Sequence, residues 1–143
     1  MSLPQHLFIE IATPEKHLAG ERAEWIHIPT LKGYIGILPG HVPLVTILGT
    51  GELTFKTEKG EKSLFVSGGF VEVLPTWVRI IAEIGERIEE IEEERALAEK
   101  ERAERIIKNE KGEYTQEEIK IAIHSLRKAE ERLRMISKRK GKL

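Results

Sequence analysis

The sequence predicts an α+β protein by segments, with an N-terminal antiparallel β-sandwich in residues 1–85 and a C-terminal antiparallel two-helix hairpin in residues 86–143. Apolar and polar residues alternate from Leu7 to about Glu83, which is typical of half-buried strands. Glycine and proline interrupt this stretch at short intervals, as turns between strands require. Near Gly85 the apolar period changes to three or four and the charge density rises, which indicates amphipathic helices and a domain boundary at residues 84–87.

Length and composition exclude several classes of protein. A chain of 143 residues, 40% hydrophobic, forms one modest domain or two small ones. A net charge of -1 gives no field that favours nucleic acid, and the absence of cysteine excludes disulfides and thiolate metal sites. Without a membrane-spanning apolar run or a signal-peptide pattern, we expect a cytosolic protein or one peripheral to a membrane assembly. All 24 acidic residues are glutamate, and the abundance of Lys, Arg and Glu with few labile side chains indicates a thermophilic source.

The stretch of residues 33–44 is the most constrained part of the predicted sandwich. Pro39-Gly40 is a strong turn dipeptide, and Pro43 restricts its position to a sheet edge, a bulge or a strand start. The stretch therefore predicts a sharply cornered β ribbon with Tyr34 and His41 at its bends. The predicted core residues of the sandwich are Ile9, Ile26, Ile28, Ile37, Val45, Ile47, Leu53, Phe55, Val71, Val73, Val78 and Ile80.

The helical segment has a predicted break and a predicted restart. Residues 109–112 interrupt the pattern, and Gly112 suits a left-handed helix stop. Thr115 and Glu118 have the spacing of a capping box, which predicts that the second helix begins there. Its apolar seam consists of Ile119, Ala122, Leu126, Ala129, Leu133 and Ile136. A hairpin this small and this charged should be held in place only weakly.

Two arginines fall on the predicted apolar seam of the first helix. At about 100° per residue, Arg95 lies roughly 20° and Arg102 roughly 40° around the helix from Ile88. The seam itself is Ile84, Ile88, Ile91, Ala98 and Ile106. Two interpretations stay open: carboxylates such as Glu92 and Glu99 satisfy the arginines, or the arginines form an anion or nucleotide site between the helices.

We predict no catalytic residues and no metal site. No glycine-rich run ends in Gly-Lys-Ser/Thr before a helix, and the five histidines lack metal-ligand spacing. The chain ends in a basic stretch formed by Arg134, Lys138, Arg139, Lys140 and Lys142. Cations there complement the helix dipole, and the alternative is that they meet an acidic partner surface.

Two sequence blocks carry a family resemblance. Residues 33–44 read G-Y-I-G-I-L-P-G-H-V-P-L and residues 67–73 read S-G-G-F-V-E-V. They resemble the G-x-x-G-I-x-P-G-H-x-P-L and S-G-G-x-x-E-V blocks of the epsilon subunit of bacterial F-type ATP synthase, which is called delta in mitochondria. The resemblance covers nearly the whole chain. It implies a non-catalytic rotor subunit of the central stalk, peripheral to the cytoplasmic face of the cell (inner) membrane, that couples proton or other ion transport to ATP synthesis.

The resemblance also implies partners. The sandwich would grip the gamma subunit and rest on the ring of c subunits, with no nucleic acid and no direct insertion into the membrane. The residues implied to face the c ring are Lys32, Gly33, Tyr34, Gly40 and His41. Tyr34 stands where the family usually has an acidic residue. The hairpin would extend toward the alpha and beta subunits and block ATP hydrolysis, and the implied inhibitory contacts are Arg134, Lys138, Arg139 and Lys140.

The resemblance further implies ATP as a regulatory ligand of the hairpin, with no cofactor required. The family motif I/L-D-x-x-R-A matches Ile91, Glu92, Arg95 and Ala96, with glutamate in place of aspartate. The other implied ATP-binding positions are Glu86, Arg102, Lys128 and Arg132, and Lys128 stands where the family has arginine. The alternatives to a rotor subunit are a free-standing ATP-sensing protein and a small β-sandwich adaptor.

Overall fold

The structure, a computed structural model, describes residues 4–141. The chain divides into two compact units, one up to Arg87 and one from Ile88 onward. Within residues 4–141, the first unit contains eight strands. They are β1 (Leu7–Ala12), β2 (His17–Ala23), β3 (Trp25–Thr30), β4 (Gly33–Ile37), β5 (Leu44–Ile47), β6 (Thr50–Thr57), β7 (Gly60–Val73) and β8 (Trp77–Arg87).

The strands form one sheet that folds over on itself. Their order is β2-β1-β8-β7-β6-β3-β4, and β5 pairs with β7 outside this path. The predicted fold class is confirmed, since this β-sandwich is followed by two helices. The pairs are antiparallel except β1 with β8, which run parallel. This parallel pair places the first strand of the unit beside the last one.

A bend in β7 produces the two layers. Gly68 and Gly69 have φ angles of +73° and +110°, and the pairing with β8 is interrupted between the Ser67–Ile84 and Gly69–Ala82 pairs without a change of register. Consecutive residues at positive φ depart from the extended conformation of a strand and therefore bend β7 at this point. The first part of β7 consequently pairs with β6, and its last four residues pair with β5.

Apolar side chains from both layers fill the space between them. Of the predicted core residues, all but Val45 and Ile47 are at most 1% exposed. The prediction is wrong for Val45 and Ile47, which are 70% and 55% exposed. In β5 the other two residues, Leu44 and Thr46, are the half-buried ones, because they pair with the buried Val73 and Val71.

The second unit contains a 3-10 helix (Ile88–Glu90), α1 (Glu93–Lys108) and α2 (Gln116–Arg139). The predicted apolar seam of the first helix included Ile84 and Ile88, and this part of the prediction is wrong. Strand β8 stays paired with β7 as far as Arg87, opposite Leu64, so the strand runs past the predicted start of the hairpin at residue 86. The face on which each residue of α1 lies must therefore be counted from Glu93, where this helix begins.

The helix ends follow local capping chemistry. The capping box is confirmed, since the Thr115 side chain accepts from the Glu118 backbone N–H and the Glu118 carboxylate accepts from that of Thr115. Gly112 has a left-handed φ of +64°, but the residue that caps α1 is Asn109, with a left-handed φ of +48°. The Asn109 side-chain oxygen also accepts from the Tyr114 N–H, which closes the loop between the helices.

Four buried alanines mark the seam between α1 and α2 (the alanine seam), and Met135 and Ile136 are also buried on α2. Ala96 and Ala103 are buried on α1, and Ala122 and Ala129 are buried on α2 with the same spacing of seven. In an antiparallel pair this spacing places Ala96 level with Ala129 and Ala103 level with Ala122. Side chains this small let two helices approach closely.

The alanine seam replaces the predicted one. Arg95, Arg102 and Ala98 are exposed, so the expectation that the two arginines lie on the buried seam is wrong. The buried face of α1 was predicted wrongly because the angles were counted from Ile88, which belongs to the 3-10 helix. On α2 the predicted seam is confirmed, with Ala122, Ala129 and Ile136 buried and the other three positions half-buried.

Candidate functional site

A groove of about 460 Å³ lies between α1 and α2. Its walls carry three cations, two carboxylates, one hydroxyl and several apolar side chains. The lining residues are Glu99, Arg102, Ala103, Ile106, Glu118, Ile121, Ala122, Ser125, Lys128 and Arg132. Charged heads beside an apolar floor suit a ligand with both an anionic part and a flat apolar part.

The alanine seam explains why the groove exists. Ala103 and Ala122 are both buried in the helix contact and both line the groove. Because alanine ends at Cβ, the longer Arg102, Lys128 and Arg132 side chains stand around a space that larger seam residues would fill. The groove and the close helix contact thus have the same cause.

Glu99 links two arginines at one wall of the groove. Its Oε1 lies 3.1 Å from Arg95 Nε, and its Oε2 lies 3.6 Å from Arg132 Nη1. The Arg132 side chain is only 15% exposed, whereas that of Arg95 is 74% exposed. Arg132 is therefore the better shielded of the two cations, and its charge acts with less solvent screening.

The structure brings together only part of the predicted ATP-binding set. Arg102, Lys128 and Arg132 share the groove, and Arg95 contacts its edge through Glu99. The remaining predicted positions lie elsewhere: Glu92 is the N-cap of α1, Ile91 precedes it, Ala96 is in the alanine seam and Glu86 belongs to β8 in the other unit.

Sequence reasoning missed Glu118 and Ser125 as groove residues and gave Glu99 a different partner. Glu99 was considered for Arg102, three residues away, but it pairs with Arg95, four residues before it on the same helix. The spacing of four residues between Arg95 and Glu99 along α1 predicts this pair. The pairing of Glu99 with Arg132 depends on the register between two helices, which no spacing within one helix reveals.

The basic end of α2 pairs with the start of the same unit. Arg139 Nη1 lies 3.4 Å from Glu89 Oε1, and Lys140 Nζ lies 2.9 Å from Glu93 Oε2. Of the other predicted inhibitory residues, Arg134 pairs with Glu131 on its own helix at 3.0 Å and Lys138 is exposed on the last turn of α2. Lys142 lies outside the described residues.

One predicted c-ring contact is the turn between β3 and β4. The Thr30 hydroxyl donates to the Gly33 carbonyl at 2.6 Å and accepts from the Lys32 N–H at 3.2 Å. Gly33 has a φ of +115°, which only glycine adopts without strain. Lys32 and Gly33 are exposed at the tip, and Leu31 beside them is 71% exposed.

Tyr34 is held against the sheet next to this turn. Its ring stacks on His27 with a centroid distance of 5.0 Å, and its hydroxyl accepts a hydrogen bond from the Glu52 N–H at 3.1 Å. Gly51 leaves the space for that hydroxyl, since a Cβ at Gly51 would overlap it. Tyr34 is thus a structural side chain with one face open, at 45% exposure.

Gly40 and His41 lie at the opposite end of β4. Five residues of strand separate them from the β3–β4 turn, a distance of roughly 15 Å at about 3.3 Å per residue. The Gly40 N–H donates to the Pro75 carbonyl at 2.7 Å, and His41 Nδ1 is 2.6 Å from the Val42 carbonyl oxygen. The predicted c-ring residues therefore lie at the two ends of β4.

An apolar strip crosses the outer face of the sandwich. Strand pairing places Ile47, Phe70, Ile81 and Ala12 side by side across β5, β7, β8 and β1. Ile47 and Phe70 are 55% and 53% exposed, and Val45 extends the strip at 70% exposure. A contiguous exposed apolar surface on a small domain is typical of a protein contact.

Two kinds of feature are absent from residues 4–141. None of their helices is both long enough and apolar enough to cross a bilayer. No cluster of three or more His, Cys, Asp or Glu side chains in the same range is arranged to hold a metal ion.

The fold and groove define a class of protein that combines a small β-sandwich with a charged helical hairpin. Residues 6–88 match the family model described as "ATP synthase, Delta/Epsilon chain, beta-sandwich domain". The chain belongs to this ATP synthase delta/epsilon chain family.

Curated relatives agree with the family assignment. The chain is 44% identical to the ATP synthase epsilon chain of Solibacter usitatus over 103 residues, which cover 72% of this chain and 77% of the relative. It is 48% identical to the ATP synthase epsilon chain of Koribacter versatilis over 95 residues, which cover 66% of this chain and 67% of the relative.

Two solved structures share the fold. A chain in the cryo-EM structure of the Euglena gracilis mitochondrial ATP synthase (OSCP/F1/c-ring) matches with a TM-score of 0.83 at 23% identity, over 95% of this chain and 84% of the other. A chain in the central stalk/c-ring structure of the Tetrahymena thermophila mitochondrial ATP synthase matches with a TM-score of 0.50 at 19% identity, over 62% and 72%. At these identities the likeness concerns the fold.

Proposed function

We propose that this chain is a non-catalytic subunit of the central stalk of an F-type ATP synthase. It couples ion transport to ATP synthesis by transmitting torque between the c ring and gamma, peripheral to the cytoplasmic face of the membrane. The observation that carries the proposal is the family sandwich with an exposed apolar strip on β5, β7, β8 and β1. A rigid sheet with an apolar contact face suits a subunit that must hold its neighbour under load.

The residues at the two ends of β4 supply the contact with the c ring. The β3–β4 turn presents Lys32 and the exposed Leu31 on a rigid support, which suits a contact with the c ring. Tyr34 contributes an open aromatic face next to it. Gly40 and His41, at the far end of β4, belong to the same proposed contact with the c ring, since a span of roughly 15 Å fits within one protein interface of about 800 Å² per partner.

The hairpin acts as a brake on ATP hydrolysis. In the closed hairpin, Arg139 and Lys140 pair with Glu89 and Glu93, at side-chain exposures of 41–66%. Exposed pairs of this kind are worth only about 0–1 kcal/mol, so their exchange for partners on other subunits is energetically cheap. Extension of the hairpin would release the basic end of α2 to acidic segments of the beta and alpha subunits.

ATP, bound in the groove between α1 and α2, stabilises the closed hairpin. Arg102, Lys128 and Arg132 supply charge for the phosphates, and Ile106 and Ile121 supply an apolar surface for the base. A ligand that binds only the closed form shifts the population toward it in proportion to its concentration. The groove equally supports a free-standing ATP sensor, which would bind ATP but would not associate with gamma.

Association with gamma tests the rotor assignment. The native chain should co-purify with gamma and co-migrate with the membrane complex, and Phe70→Glu should weaken binding to gamma at least about thirtyfold, because a charge would face an apolar partner surface. Ile123→Glu, at 51% exposure on α2, is the matched control and should change binding less than twofold. Failure of the native chain to bind gamma would overturn the rotor assignment, and tight binding by Phe70→Glu would overturn the role of the strip.

Calorimetry on the isolated protein tests the nucleotide site. Arg132→Ala should weaken ATP binding about tenfold or more, because a shielded guanidinium bonded to phosphate contributes about 1.5–3 kcal/mol. Arg95→Ala should weaken it less, since that side chain is 74% exposed and does not line the groove. Arg127→Ala, an exposed arginine on the same helix as Arg132, is the control. Equal affinities for ATP in the native chain and the three variants would mean that ATP does not bind in this groove.

A further inference from the structure

We propose that Glu99 is the resident counter-ion of the groove and sets its affinity for nucleotide phosphates. This inference rests on the proposed binding of ATP between α1 and α2, and it concerns what the phosphates must displace. Glu99 lies on α1 beside Arg102 at the groove wall, and its two carboxylate oxygens face Arg95 and Arg132.

The geometry makes the Glu99 carboxylate a competitor of a phosphate. One oxygen is fixed by Arg95 Nε at 3.1 Å, a hydrogen bond within the same helix. The other oxygen then reaches only 3.6 Å from Arg132 Nη1, longer than a hydrogen bond. Arg132 thus has an anion in place, but one held at a distance that a phosphate oxygen could shorten.

A phosphate that binds Arg132 must either displace Glu99 or lie next to it. In the first case the Arg132–Glu99 pair is lost, and in the second two anions repel each other within a partly shielded groove. Both outcomes lower the affinity for ATP. The carboxylate therefore lowers the affinity of the groove for anions, so that only a ligand at high concentration or with several negative charges binds.

Glu118 provides an internal comparison. It is the other carboxylate among the groove-lining residues, but its Oε1 accepts from the Thr115 N–H at 3.0 Å as part of the capping box. Glutamine serves in a capping box as well as glutamate. Glu118→Gln therefore removes one negative charge from the same groove while it leaves the pair between Glu99 and Arg132 intact.

The experiment compares ATP binding to the full chain and to two variants by calorimetry at low and high salt. Glu99→Gln should bind ATP about five- to tenfold tighter than the native chain, and Glu118→Gln should bind less than about twofold tighter. Glutamine matches glutamate in size and helix propensity, and circular dichroism checks that the helices remain. Inorganic triphosphate serves as a second probe that needs only the cations.

The outcomes separate this inference from the proposed function. If the native chain binds ATP and Glu99→Gln binds no tighter, or if both variants gain equally, the role of Glu99 is overturned and the ATP site stands. If Glu99→Gln binds ATP and the native chain does not, the role of Glu99 is supported and the proposed regulation of the native chain by ATP is overturned. If neither ATP nor triphosphate binds to any of the three proteins, both proposals are overturned.

Discussion

Gly69→Ala is expected to destabilise the β-sandwich by about 3 kcal/mol or more, because it combines two unfavourable effects. The φ of +110° at Gly69 is one that a residue with a Cβ adopts only under strain. A Cβ there would also overlap the Ile81 carbonyl oxygen and approach Ala82 Cα to 3.0 Å. A shift of the backbone away from this contact would strain the hydrogen bond that the Gly69 carbonyl accepts from the Leu48 N–H at 2.9 Å.

Two matched alanine substitutions separate the strain from the collision. Gly60 has a φ of +114° with nothing within 4 Å of an added Cβ, so Gly60→Ala measures the backbone strain alone. Gly36 has neither a positive φ nor a neighbour within 4 Å, so Gly36→Ala should be close to neutral. Both tryptophans, Trp25 and Trp77, are in the sandwich, so their fluorescence during urea unfolding follows this unit. A loss of stability in Gly69→Ala no larger than that in Gly60→Ala would contradict the expected collision.

The bend at Gly68 and Gly69 also determines which apolar residues face outward. Beyond the bend, β7 leaves β6 and pairs with β5, and this pairing places Ile47 opposite Phe70 on the outer face. The sandwich core and the exposed strip are therefore both shaped by this bend. A variant that relaxes the bend should lose binding to gamma together with stability.

Most of the sandwich could be predicted from the alternation of apolar residues. The period of two identifies the inward positions of long strands such as β7 and β8, where every predicted core residue is buried. The period of two failed in β5, a strand of four residues with only two positions on each face. There Val45 and Leu44 are both apolar, and only the register with β7 decides which one faces inward.

The hairpin was harder to predict because its buried seam is made of alanine. Isoleucines suggested a seam that included Ile88, whereas the buried residues of α1 are Ala96 and Ala103. Three cations of the groove were predicted from the family resemblance, and the structure places them together. The carboxylate of Glu99 gains its role from a contact between two helices, which a pattern within one helix does not contain.

Ala129→Leu is expected to destabilise the closed hairpin by about 1–3 kcal/mol, the usual result of overpacking a close contact. Ala129 is fully buried and level with Ala96, so a leucine side chain must push α1 and α2 apart. Leucine is nearly as good a helix former as alanine, so the loss reflects packing and not helix propensity. The wider separation should also disrupt the groove and weaken ATP binding at Arg132.

Ala98→Leu is the matched control, since Ala98 is exposed on α1 and the same substitution there should change stability by less than about 0.5 kcal/mol. The chain has no natural cysteine, so Leu97→Cys and Arg127→Cys, both at exposed positions, allow spin labels on the two helices. The distance between the labels should broaden and lengthen in Ala129→Leu and stay unchanged in Ala98→Leu. Added ATP should narrow it again if the groove binds nucleotide only in the closed form. An unchanged distance in Ala129→Leu would mean that the alanine contact does not hold the helices together, and the proposed brake would need another closing force.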